Sequence, residues 1–231
     1  MTDGAAPTLA LFDLDNTLLD GDSDVLWCDF LMQRGVLERT VFEPRNRAIE
    51  AAYQAGSVGL LEFCEFYIGT LAGRSAQEWQ TLREAYFEQC IRPRFVSAGL
   101  ACIEHHRRAG HMLVLTTATS RFLTEPTSRA LDLPHLIATE CEVGTDGCFT
   151  GRVSGEPNMR QGKVTQLHAW LAAQRLPALE SFHSVFYSDS INDLPLLAAV
   201  REAVVVDPDA RFEAEARARG WPVRRWRGGS M

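Results

Sequence analysis

Thr8-Leu9-Ala10-Leu11-Phe12, followed at once by Asp13-Leu14-Asp15-Asn16-Thr17-Leu18, decides the fold. The first five residues form a short apolar run without polar alternation, which predicts a strand buried on both faces. Two carboxylates and a hydroxyl then stand at its carboxyl end, where open α/β sheets bind ligands. Working outward, a long helical stretch follows from about Ser23 to Cys90. Trp27, Phe30 and Leu31 recur at helical spacing, as do Leu60, Leu61, Cys64 and Ile68. Gly35, Gly56, Gly69 and Gly73 punctuate the stretch, which reads as a compact insert of about four helices.

Beyond the insert, strand and helix alternate. Strands are expected at Met112–Leu115, Leu136–Thr139, Ser184–Tyr187, Ala203–Val206 and Val223–Trp226, with helices near 99–109, 121–131, 162–175, 192–199 and 209–219. A hairpin is expected over 142–154, where Asp146-Gly147 is a strong turn signal. This alternation implies a parallel sheet with helices on both faces and right-handed crossovers. The expected architecture is an α/β core built from residues 1–19 and 91–231, interrupted by a helical-bundle cap over 20–90. Hinges are expected near Leu19–Gly21 and Arg92–Pro93.

Composition narrows the function classes. The chain has 231 residues, enough for one large domain or a core with a small insert. With 46% hydrophobic and 23% charged residues, it can bury a sizeable core and is not a disordered chain. Its net charge of −7 argues against a broadly basic nucleic-acid-binding domain, and Arg224, Arg225 and Arg227 form too short a basic run to change that. The start lacks a basic leader and a long apolar run, and no apolar stretch is long enough for a bilayer. A cytoplasmic protein with no membrane or nucleic-acid partner is expected. The six cysteines include no CxxC pair, so reduced thiols are expected and a zinc site is not. The histidines, including His105-His106, lack ligand spacing and are expected at the surface. Gly155 to Lys163 is spaced wrongly for a P-loop.

Four polar clusters share one context, each at a strand end or a helix start: Asp13/Asp15/Thr17, Thr116/Thr117/Thr119, Lys163, and Asp189/Ser190/Asn192/Asp193. Taken singly, each has a plain structural reading as turn, helix cap or solvated helix residue. Taken together, parallel neighbouring strands would bring them to one edge of the sheet. Several carboxylates in one pocket repel each other and need a cation; oxygen-only ligation suits Mg²⁺. A lysine and hydroxyls around one carboxylate then describe a phosphoryl-transfer site.

On these residues the chain resembles the haloacid dehalogenase (HAD) superfamily. Phe12–Leu18 looks like its first motif, Leu115–Thr119 its second, Lys163 its third and Ser188–Pro195 its fourth. The helical insert between motifs one and two is similar to the phosphoserine-phosphatase-like branch. The resemblance implies a Rossmann-like core and a Mg²⁺-dependent phosphatase acting on a small-molecule phosphate ester. It implies Asp13 as the nucleophile that becomes an aspartyl-phosphate, and Asp15 as general acid and base. It implies Mg²⁺ held by the Asp13 and Asp189 carboxylates and the Asp15 carbonyl, with Asp193 orienting Lys163 or a metal-bound water. Lys163 would neutralise charge, and Thr117 would bind phosphoryl oxygens. The register between Thr116 and Thr117 is open by one residue; the small residue Ala118 favours Thr117.

Two departures bear on this. Ser188 stands where the family often has glycine. The glutamate and cap arginine by which phosphoserine phosphatases grip a substrate's amine and carboxylate have no match; Gly56 to Tyr67 contains no arginine or lysine. Asp20, Asp22 and Asp24 instead suggest a cationic group in the substrate, with Asp22 as a binding residue, or simply the cap of a helix. An amino alcohol phosphate such as histidinol phosphate fits that set. Phosphoserine, a phosphotransfer acceptor other than water, and a signalling phospho-acceptor are the alternatives. Trp27, Phe30, Phe63, Phe66 and Tyr67 are expected to form the cap core, one or two of them walling the pocket, while Arg45, Arg47 and Arg74 face solvent.

Overall fold

The computed structural model describes residues 6–228. Five parallel pairings join six strands in the order β3-β2-β1-β6-β7-β8: β1 is Thr8–Phe12, β2 Met112–Ser120, β3 His135–Thr139, β6 His183–Ser188, β7 Glu202–Val206 and β8 Val223–Arg224. β4 (Cys141–Val143) and β5 (Phe149–Val153) form a separate antiparallel hairpin around the Asp146-Gly147 turn. This is the expected Rossmann-like α/β sheet. β1 lies between β2 and β6, so the chain reverses its direction of travel across the sheet beside β1. Open α/β sheets place ligands in the crevice at such a reversal.

Alternation along β1 fills both faces. Ala10 and Phe12 enter one apolar cluster, with Leu115, Ile103, Phe122 and the helical residues Trp27, Phe30 and Tyr86. Leu9 and Leu11 enter the other, with Leu167 and Leu171 of α7 (Gln161–Ala173), Leu196 of α8 (Leu194–Ala199) and Phe212 of α9 (Ala210–Ala218). The segment after β1 folds into α1 (Ser23–Gln33), α2 (Arg39–Gln54), α3 (Leu60–Ile68) and α4 (Ala76–Tyr86). Ser75 caps α4 through a reciprocal capping box with Glu78. α5 (Ser97–Arg108) and α6 (Arg121–Ala130) join α1 and α4 on the same sheet face.

The chain leaves and re-enters the sheet layer through two connections that pair with each other. The Asp20 N–H donates to the Arg94 carbonyl and the Val96 N–H to the Leu18 carbonyl, each at 2.9 Å. On the far side, the β4–β5 hairpin ties to the segment between α3 and α4. Gly73 N–H donates to Phe149 O at 2.9 Å and Phe149 N–H to Arg74 O at 3.0 Å. A methyl group at Gly151 would lie 3.0 Å from Ala72 Cβ, so this contact is close and glycine fits it.

Three expectations need correction. β2 runs on through Thr116–Ser120 instead of ending at Leu115, with a register shift against β3 between Thr117 and Ser120. β-branched threonines suit a strand, and their hydroxyls find partners there. β8 ends at Arg224, two residues earlier than expected. His106 is buried, only 6% exposed, because Gly99, Ile103 and His106 share the inner face of α5. Its Nε2 lies 2.9 Å from the Tyr187 hydroxyl and its Nδ1 2.7 Å from His111 Nδ1. Burial, with His111 and His105 adding to it, pushes its pKa down to about 4. All six cysteines are free thiols.

Candidate active site

Asp13 follows β1 directly, and its N–H donates to the Tyr187 carbonyl at the end of β6. That bond fixes the backbone from which the carboxylate projects. Lys163 reaches it from the first turn of α7. The chain enters that helix tightly: Arg160 has a φ of 53°, and a Cβ at Gly162 would sit 2.0 Å from the Pro157 carbonyl oxygen. Only glycine allows this approach, and it delivers Lys163 inward, 2% exposed. Lys163 Nζ donates to Asp13 Oδ1 and to Asp193 Oδ2, both at 2.7 Å. The Ser188 hydroxyl donates to the same Asp193 oxygen at 2.7 Å. Serine at the position where the family often has glycine therefore anchors Asp193. Burial pushes the Lys163 ammonium down, but Asp13 and Asp193 more than offset it and hold its pKa above the ordinary value.

Asp189 lies on the other side of Asp13. The Thr17 hydroxyl stands 3.1 Å from Asp189 Oδ1 and 3.3 Å from Asp13 Oδ2, and accepts from the Asp189 N–H at 3.0 Å. One hydroxyl hydrogen cannot satisfy two carboxylates at once. Burial above all, with the Asp193 and Asp15 charges adding to it and the Lys163 ammonium opposing it, pushes Asp13 up to about 7, and burial followed by the Asp13 charge pushes Asp189 up to about 8. Such a pair is short of positive charge. Among the described residues no three His, Cys, Asp or Glu side chains form a cage that could hold a metal unaided. The donor set fits instead a hard ion bound by two carboxylates and the Asp15 carbonyl, its remaining positions left to water and phosphate, as Mg²⁺ prefers. Asp193 Oδ2 is committed to Lys163 and Ser188, so this residue would hold Lys163 in place beside such an ion.

A cavity of about 220 Å³ opens over Asp13, Lys163 and Asp189, walled by Asp15, Asp22, Tyr53, Phe63, Ala118 and Met159 among others. A smaller chamber of about 100 Å³ shares Asp15, Asp22, Phe63, Ala118 and Met159 and runs inward to Asp24, Tyr67 and Ile68. Asp15 is held by the Ser23 N–H at Oδ1 and by the Thr119 hydroxyl at Oδ2, both at 2.8 Å. Burial, then the charge of Asp22, pushes Asp15 up to about 6.

The acidic trio divides. Asp20 turns away to Arg227, 3.3 Å distant. Asp22 caps α1 by accepting from the Val25 N–H, and it also lines the cavity. Asp24 points into the inner chamber. The surrounding protein raises the pKa of both Asp22 and Asp24, and among the described residues no basic group offsets that rise.

Thr116 and Thr117 are both buried. The Thr116 hydroxyl accepts from Asn158 Nδ2 at 3.0 Å, and the Thr117 hydroxyl from the Thr119 N–H at 3.2 Å. The cavity wall at this point is Ala118. Asn158 is fully buried, and the same Nδ2 lies 2.9 Å from the Thr117 carbonyl and 3.0 Å from the Ile137 carbonyl, so its two hydrogens are shared among three acceptors and tie the ends of β2 and β3 to the loop before α7. It lies in an irregular loop, where sequence periodicity carries no signal. Tyr53 was missed for another reason: it sits at the end of a polar helix and shows no motif. Its ring stacks on Phe63 at 4.3 Å, and Arg160 lies over its other side at 4.9 Å. Its hydroxyl is buried without a hydrogen-bond partner among the described residues. Phe63 walls the cavity, while Trp27 and Phe30 pack inside.

A parallel sheet reversing beside an aspartate strand end, with lysine and a second aspartate loop converging on it, defines a class of hydrolase. A model of the haloacid dehalogenase-like hydrolases matches residues 10–198, and the chain belongs to that family. It is 37% identical over 216 residues to a histidinol-phosphatase of Neisseria meningitidis serogroup C, covering 93% of this chain and 97% of that protein. It is 33% identical over 233 residues to a Mycobacterium tuberculosis protein named phosphoserine phosphatase, covering 94% of this chain and 70% of that one. A crystal structure of a Bordetella pertussis protein of unknown function superposes with a TM-score of 0.89 at 40% identity, covering 95% and 98% of the two chains. Among the described residues no helix is long and apolar enough to cross a membrane.

Proposed function

We propose that the protein is a Mg²⁺-dependent phosphomonoesterase that works through an aspartyl-phosphate on Asp13. The observation that carries this reading is the buried Lys163 ammonium held between Asp13 and Asp193 beside an Asp189 carboxylate that forms no ion pair among the described residues. Asp13 attacks phosphorus as the ester oxygen leaves. Asp15, whose pKa of about 6 keeps part of it protonated near neutrality, donates a proton to that oxygen. It then takes a proton from the water that hydrolyses the acyl phosphate. Lys163 stays charged throughout and offsets the charge on Asp13 and the transferring group. Mg²⁺ bound at Asp13, Asp189 and the Asp15 carbonyl would supply charge neutralisation and hold Asp13 ionised. The segment 20–90 acts as a cap over the cavity, closing on bound substrate.

The substrate we favour is a small phosphate ester whose alcohol part carries an amine but, unlike phosphoserine, no carboxylate. Asp22 and Asp24 lie along the route from Asp13 into the inner chamber, and aromatic faces of Phe63 and Tyr67 flank it. The histidinol-phosphatase relative supports the same chemistry. The test is phosphate release from a panel including histidinol phosphate, phosphoserine and simple alkyl phosphates, with and without Mg²⁺. Mg²⁺-dependent release, absent in Asp13→Asn and fastest for the amine ester, is the expected result. Release that survives in Asp13→Asn would sink the nucleophile assignment, and a preference for phosphoserine would sink the substrate reading.

A further inference from the structure

Asp15 stands two residues past the nucleophile in an irregular loop, where no helix or strand ladder sets its side chain. Its orientation comes from two donors that reach it from distant parts of the chain. The Ser23 N–H, at the first residue of α1, holds Oδ1, and the Thr119 hydroxyl, near the end of β2, holds Oδ2. The second bond is itself directed. The Ser23 hydroxyl donates to Thr119 Oγ1 at 2.9 Å. With its lone pair engaged by Ser23, the single Thr119 hydroxyl hydrogen turns outward to Asp15. A second acceptor within reach of that hydrogen, Asp24 Oδ2, is farther away at 3.4 Å. Ser23 and Thr119 are each 2% exposed, so bulk water does not compete. The Tyr86 hydroxyl pins the Ser23 carbonyl at 2.6 Å and keeps the turn in place.

We infer that Thr119 is a positioning residue for the acid–base carboxyl: its hydroxyl, oriented by Ser23, fixes Asp15 against the leaving oxygen. The inference rests on the phosphomonoesterase reading above. Asp15 lines both chambers, so a carboxyl fixed there faces the bond to be broken. General acid catalysis matters in proportion to how badly the leaving oxygen needs a proton. An alkoxide needs one; p-nitrophenolate leaves without. Loss of Thr119 should therefore be selective.

The experiment measures kcat/KM of Thr119→Val and Thr119→Ser with Mg²⁺ on histidinol phosphate and on p-nitrophenyl phosphate. kcat/KM reports the step in which the leaving group departs. Thr119→Val is expected to lose roughly a hundredfold on the alkyl ester and less than about threefold on the aryl ester, and Thr119→Ser to restore most of the loss. Equal losses on both esters, no loss on either, or failure of serine to rescue would overturn the inference. Should Thr119→Val fail to fold by circular dichroism, Ser23→Ala breaks the chain one link earlier. It should show the same discrimination at smaller size, and equal losses there overturn the inference too. A wild-type protein that releases phosphate from neither ester would instead overturn the phosphomonoesterase reading.

Discussion

The two ends of the cavity differ in how charge is settled. At the α7 end, Lys163 meets Asp13 and Asp193 at 2.7 Å each, and Ser188 completes the set. At the α1 end, Asp15, Asp22 and Asp24 receive hydrogen bonds but, among the described residues, no cation. The first end is preassembled by the protein. The second is left for something that arrives. Pre-paired charge rigidifies a site, whereas unpaired carboxylates make it selective, because a cationic ligand relieves their repulsion on binding.

Removing Lys163 should break the comparison most violently. Lys163→Met leaves two buried carboxylates uncompensated, so a loss of ~3–5 kcal/mol in urea denaturation is expected. With it should go at least about a hundredfold in phosphate release. A variant that stays active would show that the α7 end does not depend on its ion pair.

Next comes pH. The folded-state pKa values of Asp15, Asp13 and Asp189 are raised, to about 6, 7 and 8. A raised carboxyl value gives stability that is present at low pH and lost as pH climbs through those values. His106 works in the opposite sense: lowered to about 4, it contributes above its ordinary value and loses that contribution as pH falls. Without metal, thermal stability should therefore peak on the acid side of neutrality and decline toward pH 8. Added Mg²⁺ should raise Tm more at pH 8 than at pH 5; equal shifts at both would contradict the carboxylate cluster as its site.

The α1 end is sharpened by Asp24→Asn. It should raise KM roughly tenfold for an amine-bearing ester, about 1.4 kcal/mol, and leave alkyl phosphates without an amine nearly unchanged. Equal effects on both would remove the cation from the picture. Ser188→Ala should have the smallest effect on turnover. It deletes the hydrogen bonds that the Ser188 hydroxyl donates to Asp193 and accepts from the Ser190 N–H, and should cost ~1–2 kcal/mol in denaturation, with Lys163 still held.

Much of this arrangement was legible in the sequence. The unbroken apolar run of β1 and the polar residues at its end gave a buried strand and a ligand edge. The parallel sheet then carries Asp13, Lys163, Asp189 and Asp193 to one place. What periodicity could not show were contacts made by side chains from irregular loops and from the far ends of helices. Asn158 and Tyr53 are of this kind; the backbone tie between Gly73 and Phe149 was equally hidden, because it joins two segments far apart in the chain. His106 had a signal that pair spacing hid: it falls three residues after Ile103 and seven after Gly99, on the inner face. Asp20, Asp22 and Asp24 looked equivalent in sequence, yet the chain's turn through Gly21 into α1 sends each to a different neighbour.

The paired connections at Leu18–Asp20 and Arg94–Val96 have a consequence of their own. Everything from α1 to α4 departs and returns within one hydrogen bond's width. A segment spliced in so narrowly resembles a cassette: it can lengthen, shorten or be exchanged while the sheet keeps its register. The constraint on a replacement is its underside, which must still offer apolar residues like Trp27, Phe30 and Tyr86 to the face of β1. Selectivity carried by such a cassette can drift from one phosphate ester to another, while the residues that break the bond stay where the strands put them.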